Sequence, residues 1–131
     1  MIKHKFKIPL FGIRVTLLQV EPFSDAPEAW KFLSSIHVEE SLKGEVRDTI
    51  LRNACNGGTT FRNMQLRSIV VVFFRMRTLA DRAEVYSHEK RHIEDRVLKW
   101  AGVDDIEASA LLAGYLGREF MKFQNLVNKS K

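Results

Sequence analysis

Cysteine is almost missing from this 131-residue chain, which has only Cys55. A single cysteine excludes an internal disulfide framework and fits a reducing compartment. The longest strictly apolar run, Ile69 to Phe74, is far shorter than the roughly 20 residues of a membrane-spanning helix. The start of the chain has lysines threaded through it and lacks the apolar core of a signal peptide. These absences predict a soluble, cytoplasmic protein with no membrane partner.

Low-complexity stretches and internal repeats are absent too, and 45% of the residues are hydrophobic. That apolar fraction argues against a disordered chain. The length is enough to bury one hydrophobic core and too short for two. We therefore predict a single domain over residues 1–131.

The charge is basic but scattered: 21 Lys and Arg face 16 Asp and Glu, a formal net charge of +5. No block of five or six like charges occurs, and no RNA-binding signature with interleaved aromatics does either. A solubilising surface with basic tails is the favoured interpretation. A nucleic-acid partner is the less favoured alternative.

Apolar patterning predicts a sheet in the first half of the chain. Residues 5–20 are rich in β-branched positions and are broken at Pro9 and Gly12, which indicates one bent strand or a strand pair at a sheet edge. Helix-start chemistry predicts a short amphipathic helix over 26–36. The apolar run within Ser68–Phe74 predicts a strand that is buried on both faces.

Beyond Leu79 the apolar period becomes helical and stops at Ala101-Gly102. A capping-box pattern from Asp104 to Glu107 begins a last helix that reaches about Phe123. The sum is an α+β fold: a small N-terminal β-sheet with one covering helix, followed by two packed C-terminal helices.

The motif-bearing part of the chain, about residues 68–123, contains His88-Glu89-Lys90-Arg91-His92, which is H-E-x-x-H. Residues four apart share one face of a helix, so both imidazoles can bind a single Zn²⁺. Glu89 is placed beside them to accept a proton from water as a general base. The alternative is a solvated helix face whose histidines pair with nearby carboxylates.

The leading candidate for a third zinc ligand is Glu107, which also fits the role of a helix cap. To reach the metal, Glu107 needs either an early end to the first helix or a steep crossing of the two. Asp95 lies on the same helical face as His92. Asp95, Asp104 and Asp105 are therefore candidate acceptors for a ligand histidine's second N–H, or alternative ligands.

The segment His88–His92, followed by Gly102–Tyr115, resembles the minimal gluzincin metallopeptidases, above all the small HExxH proteins of bacterial phages and mobile elements. Their second helix reads D-x-E-A-x-A-[aromatic]-L-x-G-[aromatic], which this chain matches except for a leucine at the first aromatic position. The resemblance covers about residues 68–117. It implies a zincin-like fold, a zinc ion bound by the two motif histidines and Glu107, and hydrolysis of a peptide or isopeptide bond with the motif glutamate as base.

Two further questions stay open at the level of sequence. Tyr115, two turns after Glu107, is either an oxyanion stabiliser or an ordinary core tyrosine. Zinc could also serve a structural role, in which it only joins the two C-terminal helices. A nucleic-acid-associated accessory protein of a phage or mobile element is the remaining alternative function.

Overall fold

A four-stranded sheet forms the middle of the computed structural model, which describes residues 1–21, 25–35, 57–74, 76 and 78–130. The strands are β1 (Ile2–Ile8), β2 (Ile13–Val20), β3 (Gly58–Asn63) and β4 (Ser68–Phe74), and the helices are α1 (Ala26–Ser35), α2 (Leu79–Ala101) and α3 (Ile106–Lys129). The strand order is β1-β2-β4-β3, with β2 parallel to β4 and both outer pairs antiparallel. The α+β fold with an N-terminal sheet and two C-terminal helices is confirmed.

Both faces of the two central strands are buried, because successive side chains point to opposite sides of a sheet. Helices α2 and α3 cover one face, and α1 covers the other. The first face buries Val15, Leu17, Val71 and Phe73, and the second buries Leu18, Val20, Val70 and Val72. The prediction that Ser68–Phe74 is a strand buried on both faces is therefore confirmed.

The first two strands form the predicted strand pair rather than one bent strand. Pro9 lies in the turn between them, where it removes no ladder hydrogen bond. Gly12, at φ +66°, donates its N–H to the carbonyl of Ile8 at 3.1 Å. The predicted helix over 26–36 is observed as α1. Residue 36 and Cys55 lie outside the described residues.

Helix α2 has the predicted end. Its first turn is capped by the Thr78 hydroxyl, which accepts the N–H of Asp81 at 3.0 Å. Its last turn closes at Gly102, whose left-handed φ of 67° favours glycine. The predicted stop at Ala101-Gly102 is therefore observed, and its cause is the left-handed conformation of Gly102.

Helix α3 differs from its prediction at both ends. Its N-cap is Asp105, not Asp104: the Asp105 carboxylate accepts the N–H of Glu107 at 2.7 Å and that of Ala108 at 3.3 Å. The helix also continues past the predicted end at Phe123. Among the described residues, no helix has the length and apolarity needed to cross a bilayer.

Candidate metal centre

Gly58, at the start of β3, allows α2 to lie directly against this strand. A Cβ atom there would lie 3.1 Å from Cδ1 of Phe73, 3.2 Å from Cγ of Glu89 and 3.2 Å from Cγ1 of Val85. These distances are at the lower limit of van der Waals contact, so any side chain would push the helix outward. The absence of a side chain at Gly58 thus brings Glu89 to the edge strand.

Glu89 faces the sheet rather than solvent and is only 4% exposed. Its carboxylate accepts a hydrogen bond from the hydroxyl of Thr60 on β3. Burying a carboxylate costs free energy unless hydrogen-bond donors contact it. The contact with Thr60 therefore stabilises the buried carboxylate of Glu89 and fixes its orientation. Thr60 carries no motif signal, and the sequence did not identify it as a site residue.

His88 and His92 are exposed beside Glu89, one helical turn apart. Their Nε2 atoms are 3.0 Å apart, and the two rings are nearly perpendicular at 87°. Two imidazole nitrogens at the usual zinc distances and a tetrahedral angle would be about 3.3 Å apart. The two side chains therefore fit a shared cation with a shift of a few tenths of an ångström.

The ligand atoms of His88, Glu89 and His92 all lie within 4.8 Å of one another. Within the described ranges, no other trio of histidine, cysteine or acidic side chains meets this distance. Without a metal, the same 3.0 Å contact is a hydrogen bond in which one imidazole N–H donates to the other ring. The three side chains could hold a metal ion, and the metal content of the protein distinguishes the two states.

A cavity of about 310 Å³ borders the three side chains. Its lining includes Thr60 and Arg62 of β3 and Arg96 of α2. Within the described part of the chain, neither arginine forms an ion pair. The cavity therefore places two unneutralised cations and an edge strand next to the histidines.

The structure does not bring Glu107, the predicted third ligand, to this cluster. Helix α2 continues to Ala101, so the chain travels about 14 Å along the helix axis beyond His92 before it turns back. Glu107 is exposed in the first turn of α3, where the next residue, Ala108, lines a groove beside the β1–β2 turn. Of the two arrangements that would bring Glu107 to the metal, the early end of the first helix does not occur.

The three other candidate carboxylates also lie outside the histidine cluster. Asp95 is 61% exposed and pairs with Nε of Arg91 at 3.3 Å. Asp105 caps α3, and Asp104 is exposed in the loop between the helices. None of the three belongs to the group formed around His88. Their predicted contact with a ligand histidine is therefore not observed.

Tyr115, which the sequence leaves open between an oxyanion stabiliser and a core tyrosine, packs against the core at the opposite edge of the sheet from the histidine cluster. Its hydroxyl donates to the carbonyl of Lys7 at 2.8 Å, and its ring packs against Phe6. Three strand spacings, about 14 Å, separate β1 from β3, where the cluster lies. Burial, with a smaller effect of nearby Glu119, raises the pKa of Tyr115. This tyrosine attaches α3 to β1.

Comparison with known proteins identifies no relative: no family model, no curated protein and no solved structure matches this chain. The resemblance to minimal gluzincins remains a prediction that rests on the motif residues.

Proposed function

We propose that this protein is a cytoplasmic, zinc-dependent metallopeptidase that hydrolyses a peptide or isopeptide bond. His88 and His92 are the proposed zinc ligands, and Glu89 is the proposed general base. The observation that carries the proposal is the pair of Nε2 atoms 3.0 Å apart, with a buried carboxylate beside them. The single cysteine of the sequence supports a reducing compartment.

Two imidazole nitrogens and a carboxylate are donors that Zn²⁺ accepts. When bound, zinc supplies a Lewis acid and lowers the pKa of water. Glu89 then accepts a proton from the water whose oxygen attacks the carbonyl carbon, and returns it to the amine nitrogen as the C–N bond breaks. The Thr60 hydroxyl occupies one oxygen of Glu89 and leaves the other available for the water.

The third ligand is the open part of this proposal, because catalytic zinc usually has three protein ligands. Glu89 is the one carboxylate of the described residues that lies within 4.8 Å of both imidazole nitrogens. Glu89 could therefore be a zinc ligand instead of the general base. A glutamine at this position distinguishes the two roles, since a general base is needed for the reaction and a ligand is needed for the metal.

A purely structural zinc that joins the two C-terminal helices is disfavoured by the same geometry. Both histidines belong to α2, and no residue of α3 belongs to the group around them. Among the described residues, both ligand histidines come from α2 alone, so a metal held by them would not join α2 to α3.

The surroundings favour an extended substrate that carries negative charge. Strand β3 is at the sheet edge and can pair with a peptide main chain. Arg62 and Arg96 add two cations to the cavity beside it. We expect an acidic side chain near the cleaved bond to bind there, and expect Arg62→Gln to raise KM for such a peptide with little change in kcat.

The test is elemental analysis of purified protein together with a peptidase assay on a peptide library. We expect about one zinc ion per chain, lost in His88→Ala and His92→Ala. Glu89→Gln should keep the zinc and lower hydrolysis by 10²-fold or more. His4→Gln is the matched control, because His4 pairs with Glu119 at 2.7 Å on the far edge strand.

Two outcomes would contradict the proposal in different ways. Full zinc content in the double His88→Ala/His92→Ala variant would show that these histidines do not bind the zinc, and the proposed metal centre would be wrong. Loss of zinc in Glu89→Gln would instead make Glu89 a ligand and end its assignment as base.

A further inference from the structure

A row of lysines marks the sheet face that α1 covers. Lys3, Lys5 and Lys7 occupy every second position of β1, so all three point to this face at intervals of about 7 Å. The ammonium groups of Lys3 and Lys5 each lie 5.2 Å from the centre of the Phe32 ring on α1. The edge of the sheet therefore presents a periodic line of cations beside an aromatic ring.

Two arginines extend this line across the sheet. The strand register places Arg14 of β2 opposite Lys7. Arg67, in the turn before β4, accepts the backbone N–H of Arg14 at 2.8 Å with its carbonyl. Lys7, Arg14 and Arg67 line one cavity, and the Arg67 guanidinium also lies 5.3 Å from the centre of the Trp100 ring on α2.

The groove is made of two adjoining cavities of about 520 and 430 Å³, and its cations are Lys5, Lys7, Arg14 and Arg67. Both cavities share Lys7, Arg14 and the hydroxyl-bearing residues Ser35 and Ser68. Among the described residues, none of those lining the two cavities is acidic. The Ser35 hydroxyl donates to the carbonyl of Phe32 at 2.6 Å, so the groove offers its cations, the Ser68 hydroxyl and the Phe32 ring, which are groups that bind phosphates and bases.

Neutralising partners are scarce here. Lys3 has Glu28 at 3.9 Å, whereas Lys5, Lys7 and Arg14 pair with no carboxylate in the described part of the chain. Lysines on an edge strand also prevent strand-to-strand aggregation, which accounts for those of β1. That reason does not apply to Arg14, which lies on an inner strand. An anionic ligand would neutralise the cations that the described residues leave without a carboxylate partner.

We propose that this groove binds the phosphate backbone of a single-stranded nucleic acid. The regular lysine spacing suits a chain of phosphates, and the Phe32 ring offers a surface for one base. A single strand can place both its phosphates and an unstacked base in such a groove, whereas the bases of a duplex stay paired and stacked. The proposal does not rest on hydrolysis, because the histidine cluster lies against the other face of the sheet.

Fluorescence anisotropy with a labelled single-stranded oligonucleotide, titrated from low to high salt, tests this proposal. Each phosphate neutralised on a single strand contributes about −0.7 to the slope of log affinity against log salt. The double variant Lys5→Gln/Lys7→Gln should therefore reduce the slope by about 1.4 and weaken low-salt binding at least tenfold. Both lysines are exposed, so the fold should persist, and circular dichroism checks this.

The matched control is Arg118→Gln/Lys129→Gln, which removes the same charge from exposed positions of α3. It should bind like the unaltered protein. Equal weakening in both double variants would reveal non-specific attraction by net charge and overturn the proposal. Affinity that is absent at low salt, or equal for a duplex of the same length, would overturn it as well. Inorganic polyphosphate as a competitor distinguishes recognition of phosphate alone from recognition that includes a base.

Discussion

Replacing Thr60 by valine removes the hydroxyl that donates to Glu89 and keeps the shape of the side chain. Because Glu89 is 4% exposed, water cannot readily replace the lost donor. A hydrogen bond to a charged group contributes about 1.5–3 kcal/mol to stability. For a chain of this length, we expect the melting temperature to fall by about 5–15 °C.

The assay is thermal and urea unfolding in the presence of chelator, so that metal binding does not contribute. Thr60→Ser keeps the donor and serves as the control for the loss of packing. In a double-mutant cycle, Thr60→Val should cost only about 0.5–1.5 kcal/mol when Glu89→Gln has replaced the charge with a neutral acceptor. Equal unfolding free energies for the valine variant and the unaltered protein would refute the role of this contact.

Three further predictions concern helix packing and electrostatics. Gly58→Ala should destabilise the protein by about 1–3 kcal/mol and weaken zinc binding, because the added methyl pushes α2 away from β3. Gly114→Ala, where a Cβ meets open space in α3, should instead stabilise it by up to about 1 kcal/mol, and both are measured by urea unfolding. Burial alone would raise the pKa of Glu119, but hydrogen bonds from His4 and Lys122 outweigh it and lower the pKa. A lowered folded-state pKa stabilises the protein above the ordinary glutamate range near 4.3, and that stability disappears as the pH falls through the folded value. Glu119→Gln should therefore flatten the acid side of the stability–pH profile, and an unchanged profile would contradict this.

The elements that the sequence predicts well are those whose signals are local. The run Ser68–Phe74 is short and apolar at every position after the first, and it is rich in β-branched residues, which is typical of a strand buried on both faces. Gly102 ends α2 because one residue with a left-handed φ suffices to stop a helix. The spacing of His88 and His92 likewise fixes their shared face once the helix is given.

The features that could not be predicted depend on contacts between distant segments. Asp104 and Asp105 are both good N-caps, so the pattern cannot choose between them. The separation of Glu107 from His92 follows from the length of α2 and the sheet edge on which α3 packs. The pairing of Thr60 with Glu89 depends on the register of β3, which no local pattern specifies.

The strand order decides how the two proposed surfaces relate. Helix α2 packs on β3 and α3 packs on β1, so the histidine cluster and the lysine row belong to opposite edges of the sheet. They also belong to opposite faces, because Thr60 points toward α2 whereas Lys5 points toward α1. Effects of substitutions this far apart should add. Lys5→Gln/Lys7→Gln should therefore leave zinc content unchanged, and His88→Ala should leave the salt slope of nucleic-acid binding unchanged. A change in either measurement would mean that one site acts through the other, and the two proposals would then have to be treated as one.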